Sequence, residues 1–68
     1  MSEKEKMILD FMNDAEYVPM KAKEMAIILN VPKDRYNELL ETLNRLEADL
    51  KIVKNKKNRY KINEQKIL

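Results

Sequence analysis

The spacing of apolar residues changes from a helical period to a strand period near position 50. Before it, apolar residues recur three and four positions apart, which predicts helices over about 3–14, 21–30 and 33–48. After it, the period becomes two in a pair of short runs joined by Asn-Lys-Lys-Asn, which predicts a β-hairpin. Between the first two helices, residues 17–20 predict a very short edge strand, because Pro19 lacks a backbone donor.

The predicted order is helix, strand, helix, helix, strand, strand. This is the order of a winged helix-turn-helix, a mostly α fold with a small antiparallel sheet. We expect one such domain over residues 1–63, with residues 64–68 beginning a linker or a further domain. The predicted core takes four methionines from the helical part and three residues from the hairpin: Met7, Met12, Met20, Met25, Ile52, Tyr60 and Ile62.

The chain has no glycine, so other residues have to supply the positive φ angles of its turns. Asparagine adopts this conformation more readily than other non-glycine residues. We therefore expect a left-handed cap at Asn30, after the second helix, and a left-handed residue at Asn55 or Asn58 in the hairpin loop. At the N-terminus, Ser2 and Glu5 have the spacing of a capping box.

Composition narrows the chemistry available to these 68 residues. Histidine and cysteine are both absent, which removes the commonest general base and the thiolate metal ligands. A glycine-rich phosphate loop is excluded as well, so we predict no catalytic residue, no metal site and no cofactor. No apolar run approaches the ~20 residues of a membrane span. We expect a cytoplasmic monomer with no membrane partner.

Charge is distributed unevenly along the chain. Residues 1–50 carry seven Lys/Arg and eleven Asp/Glu, a net charge of −4, whereas residues 51–68 carry seven Lys/Arg and one Glu, a net charge of +6. Such asymmetry suggests an anionic partner for the basic end, and nucleic acid is the leading candidate. The other interpretations are a solvated hairpin and a basic strand that packs on a neighbouring domain.

The basic hairpin, residues 51–61, contains most of the candidate phosphate contacts. Two further candidates lie on the third helix, which would occupy the position of a recognition helix. That helix region, 33–49, has three basic and five acidic residues, so it fits a phosphate-lined DNA groove poorly. The predicted nucleic-acid contacts are Lys51, Lys54, Lys56, Lys57, Arg59, Lys61, Arg35 and Arg45.

Two long segments carry a family resemblance. "ILDFMNDAEYVPMKAKEMAIILNVP" followed by "LLETLNRLEADLKIVKNKKNRYKI" resembles the N-terminal winged-helix domain of bacterial ribonuclease R, above all in "YVPM", "LNRLEADLKIV" and "NRYKI". The resemblance implies an RNA-binding accessory domain of a processive 3′-to-5′ exoribonuclease. In that family, cold-shock domains and a magnesium-dependent catalytic domain follow, so no residue here inherits a catalytic role. We expect Ile67 and Leu68 to begin the first strand of a following domain, and the chain to be an excised N-terminal domain.

Three positions depart from the family pattern. Lys21 stands where Ser or Thr is common, so we expect the second helix to lack a side-chain cap. Leu50 replaces a common glycine after the third helix, and we expect the turn there to avoid the left-handed cap. Asn58 replaces a hairpin glycine, a change that the loop accepts.

Two alternative functions remain open at this point. One is a DNA-binding winged helix of a transcriptional regulator, which would read bases through the third helix. The other is a protein-docking module that uses the acidic helix surfaces or the apolar edge at residues 17–20. The acidic third helix argues against the first alternative, and the basic hairpin argues against the second.

Overall fold

The computed structural model describes residues 3–63, which form three helices and a two-stranded antiparallel sheet. The elements are, in chain order, α1 (Glu3–Met12), α2 (Ala22–Ile28), a 3-10 turn (Lys33–Arg35), α3 (Tyr36–Ala48), β1 (Ile52–Lys54) and β2 (Tyr60–Ile62). The prediction of a mostly helical domain with a small antiparallel sheet is confirmed. The capping box predicted at Ser2 and the linker or further domain predicted over residues 64–68 lie outside the described residues.

The helices are shorter than the apolar periodicity predicted, because polar turns intervene at their ends. The first helix ends at Met12 rather than near Asp14, whose carboxylate accepts the N–H of Glu16 at 2.8 Å. This local bond is typical of aspartate in turns and competes with helix continuation. The third helix begins at Tyr36, and the three residues before it form a 3-10 turn in which the Arg35 N–H donates to the Pro32 carbonyl.

The predicted edge strand at residues 17–20 is reduced to one residue. Met20 forms an isolated antiparallel bridge with Tyr60, whose N–H donates to the Met20 carbonyl at 2.9 Å. Pro19 offers no N–H for a longer ladder. The sheet therefore has two strands and a single bridge beside β2, rather than the three strands that the sequence predicted.

The core joins the three helices to the hairpin. Met25, Leu43, Leu46 and Ile52 are fully buried, and Tyr60 is 5% exposed. The prediction that Met7 belongs to this core is wrong, since Met7 is 58% exposed. The buried residues of α1 are Glu5, Ile8 and Met12, which are three and four positions apart and therefore lie on one face of the helix. Met7 lies outside this face and is exposed.

Both α2 and α3 end in the same hydrogen-bonded turn. After α2, Asn30 has a φ of 56° and donates to the Ile27 carbonyl, while Val31 donates to the Ala26 carbonyl at 2.8 Å. This pair of bonds is a Schellman motif, so the left-handed cap predicted at Asn30 is confirmed. The start of α2 is as expected too, because Lys21 makes no side-chain cap hydrogen bond.

The turn after α3 contradicts the expectation for Leu50. Its φ is 62°, and its N–H donates to the Glu47 carbonyl while the Lys51 N–H donates to the Leu46 carbonyl, both at 3.0 Å. The Schellman motif thus forms despite the Cβ, because it satisfies carbonyls at the helix end and directs Ile52 into the core. This turn sets the direction in which the basic hairpin leaves the helices.

Candidate nucleic-acid interface

The register of the hairpin divides its residues between two faces. Ile52 pairs with Ile62 and Lys54 with Tyr60, while between them Val53 pairs with Lys61. Ile52 and Tyr60 are buried, and Ile62 packs against the core at its edge. Since side chains alternate along a strand, the outer face carries Val53 and Lys61.

Tyr60 anchors the basic hairpin to the helical body through both of its backbone groups. Its N–H donates to Met20, and its carbonyl accepts a 2.6 Å hydrogen bond from the Tyr17 hydroxyl. The Tyr17 ring packs edge-to-face on Phe11, with the ring centroids 5.2 Å apart. Burial raises the pKa of both tyrosine hydroxyls above the usual value, and the charge of Glu47 adds to the shift at Tyr60.

The loop at the tip is built by two asparagines with different roles. The Asn58 N–H donates to the Asn55 carbonyl at 3.0 Å, and Asn58 has a φ of 62°, so it is the left-handed residue of the loop. The Asn55 side-chain oxygen accepts the N–H groups of Lys57 and Arg59 at 2.9 and 3.0 Å. This second role was not predicted, although Asn is known to bond its own backbone two residues on. Lys56 and Lys57 occupy the exposed centre of the turn.

Most cations of the basic hairpin are accessible to solvent. None of its six Lys and Arg side chains forms an ion pair with a carboxylate in the described part of the chain. The exposed members are Lys54, Lys56, Lys57, Arg59 and Lys61, and Lys51 is half-buried. These side chains are therefore accessible to an external anion.

Lys54 differs from the other hairpin cations in its surroundings. It pairs with Tyr60 in the ladder, and its Nζ lies 5.8 Å from the centroid of the Tyr60 ring. This is within the range of a cation–π contact. Lys54 thus lies on the face that packs on the core, although the sequence placed it with the phosphate contacts.

The two candidate cations of the third helix lie in a different electrostatic environment. The Arg45 Nη1 lies 3.5 Å from the Glu5 Oε1, and Glu5 is only 6% exposed. Arg35 lies near Glu38, whose carboxylate accepts a 2.7 Å hydrogen bond from Lys4. That hydrogen bond and the Lys4 charge lower the pKa of Glu38, with a smaller contribution from the charge of Arg35.

The described residues contain neither a cluster of metal-ligating side chains nor a membrane-spanning helix. Within residues 3–63, no three acidic side chains come close enough together to hold a metal ion. No helix in the same range is both long enough and apolar enough to cross a bilayer. A scan against protein-family models finds no match for the chain, and a search of the curated proteins finds none either. Function is therefore inferred from the residues and their geometry.

Proposed function

We propose that this chain is a winged-helix domain that binds RNA by contacting its phosphates through the basic hairpin. One observation carries the proposal: the hairpin is anchored by Ile52 and Tyr60, while its exposed cations have no carboxylate partner within residues 3–63. Contacts to phosphates position a protein on a nucleic acid without reading its bases. A rigid basic projection is suited to that task.

The loop geometry supports binding by a preformed surface. Asn55 holds the backbone on both sides of the tip, so Lys56 and Lys57 are displayed by an ordered turn. Binding then requires little additional ordering of the backbone, and only the side chains lose freedom. A-form RNA is recognised mostly by its backbone and its shape, which such a surface can contact.

Helix α3 is less suited than the hairpin to nucleic-acid contact. Glu41 is exposed along it without an ion pair in the described residues, Glu38 is exposed but pairs with Lys4, and Arg45 pairs with Glu5 although its side chain is 70% exposed. Exposed carboxylates repel the phosphates that line a groove. This favours the hairpin over the reading helix of a DNA-binding regulator.

The sequence resemblance to ribonuclease R supports RNA as the ligand. On this proposal, the domain is an accessory module of a 3′-to-5′ exoribonuclease and adds a phosphate-binding surface beside the cold-shock domains of the same parent chain. Linked surfaces of this kind raise the local concentration of substrate even when each binds weakly alone. Cleavage would belong to another part of the parent chain.

The salt dependence of RNA binding tests the proposal. If Lys56, Lys57, Arg59 and Lys61 each contact a phosphate, log affinity against log salt has a slope of roughly −3 to −4 for a duplex. Replacing the first three by Gln should reduce the slope to roughly −1, because one contact remains. The matched control is Lys23→Gln, which removes the same charge from an exposed position on α2, outside the basic hairpin, and should leave the slope nearly unchanged.

Three results would refute the proposal. The basic hairpin is not the binding surface if the triple variant keeps the wild-type slope, or if Lys23→Gln reduces the slope as much as Lys57→Gln does. The choice of RNA is wrong if duplex DNA of the same sequence binds as tightly at every salt concentration. Fluorescence anisotropy with labelled hairpin RNA, single-stranded RNA and duplex DNA measures all three ligands in one format.

A further inference from the structure

A second surface of the domain is an open apolar groove bordered by α1, the turn after α2, and α3. The groove has a volume of about 210 Å³, and no residue of the basic hairpin lines it. Its apolar lining includes Met7, Ile8, Leu29, Val31 and Leu39. We call this surface the apolar groove. It is distinct from the edge at residues 17–20 that the sequence suggested for docking.

The size and shape of the apolar groove limit what it can hold. A cavity of about 150 Å³ lined by aliphatic residues binds benzene, whereas pockets for whole small molecules are usually about 300–1,000 Å³. The groove is thus suited to one aromatic or branched aliphatic side chain. Met7 in its wall is 58% exposed, so a free small molecule would stay largely uncovered. A peptide can enter with one side chain and continue along the rim.

The charges at the rim determine which peptide fits. Lys4 and Glu38 form an ion pair at one edge and neutralise each other. Arg35, also at the rim, is exposed and forms no ion pair within residues 3–63. The charged residues of the rim, Lys4, Arg35 and Glu38, sum to a net charge of +1. The Arg35 guanidinium is suited to binding a carboxylate.

We propose that the apolar groove docks a segment of a partner protein in which a Phe or Leu side chain is followed by an acidic residue. The apolar side chain enters between Met7 and Leu39, and the carboxylate pairs with Arg35. The domain then has two independent surfaces, one for phosphates and one for a protein. The two surfaces share no residue, so each can be altered by mutation without changing the other.

Three capped tetrapeptides test the proposal by NMR titration of the full chain. The first is acetyl-Ala-Phe-Asp-Ala-amide; the second has Asn in place of Asp, and the third has Ala in place of Phe. We expect the first to shift the methyl signals of Leu29 and Leu39 with a millimolar dissociation constant, and the other two to bind about fivefold more weakly. Arg35→Gln should weaken the first peptide by a similar factor and leave the second unchanged.

Two further variants keep the test specific. Lys61→Gln makes the same charge change in the hairpin and should leave peptide binding unaltered. Met7→Gln replaces an exposed wall residue, so it should fold normally and weaken every peptide that contains Phe. Equal binding of the Asp and Asn peptides would overturn the proposal. So would shifts of Leu29 and Leu39 that follow protein concentration instead, since these would identify a second copy of the chain as the occupant.

Discussion

Leu50 provides the sharpest test of how the basic hairpin is connected to the helices. Its φ of 62° lies in the left-handed region, where glycine is the usual residue after a helix. We predict that Leu50→Gly is more stable than Leu50→Ala. At most positions the order is the reverse, because glycine loses more conformational entropy on folding than alanine does.

The magnitude follows from two opposing contributions. A residue with a Cβ loses roughly 1–2 kcal/mol in the left-handed conformation. Glycine loses about 0.5–1 kcal/mol more entropy than alanine when the chain folds. The difference favours Leu50→Gly over Leu50→Ala by up to about 1.5 kcal/mol, with a midpoint of ~0.75 kcal/mol. Leu50 is 62% exposed, so removing its side chain forfeits only part of the ~1.5–3 kcal/mol that full burial of a leucine is worth.

Thermal unfolding followed by circular dichroism measures the difference. For a domain of this size, 1 kcal/mol corresponds to about 4–8 °C in Tm, so Leu50→Gly should melt a few degrees above Leu50→Ala. A matched control lies two residues earlier: Ala48→Gly, at the exposed end of α3, should lower stability by about 0.5–1 kcal/mol. If Leu50→Gly melts at or below Leu50→Ala, the left-handed turn at this position is wrong.

Four further predictions concern the parts that hold the domain together. Asn55→Ala should lower the free energy of unfolding by about 1 kcal/mol in urea, whereas Asn55→Asp keeps the acceptor and should not. Tyr17→Phe should cost about 1 kcal/mol through the lost bond to the Tyr60 carbonyl. Because burial raises the pKa of both tyrosines above 10.0, stability should fall as pH rises above 10, and Tyr17→Phe should reduce that fall. Arg45→Gln should lower stability by up to about 1 kcal/mol through Glu5 and leave the salt slope of RNA binding unchanged.

The elements were predictable because each depends on a local signal. Helical spacing at Leu39, Leu43 and Leu46 identified α3, and alternation around Ile52 and Tyr60 identified the hairpin. Asn30 was recognisable because asparagine is the best substitute for glycine at positive φ, and the same preference limited the left-handed loop residue to Asn55 or Asn58, of which the structure has Asn58.

Other features of the fold depend on contacts that a local pattern cannot resolve. Met7 and Ile8 are adjacent, and either could lie on the inward stripe of α1. Only packing against α3, where Glu5 meets Arg45, decides how the helix is rotated. At Leu50, residue preference alone gave the wrong answer. The hydrogen bonds of the turn and the burial of Ile52 outweigh the cost of the left-handed conformation there.

Which cations of the candidate interface are already paired also depends on tertiary contacts that the sequence does not show. Eight of the fourteen Lys and Arg residues are predicted from the sequence as phosphate contacts, but the sequence cannot say which of the eight already interact with other side chains. Arg45 meets a carboxylate forty positions away in the chain, and Lys54 lies over an aromatic ring, because register and helix packing place them there. What matters for binding a polyanion is the number of cations without a partner, since only those exchange bound counterions for phosphates. Among the hairpin cations, the salt slope should therefore follow Lys56, Lys57, Arg59 and Lys61. If Arg45→Gln reduced the slope as much as Lys57→Gln does, pairing within the fold would not govern this surface.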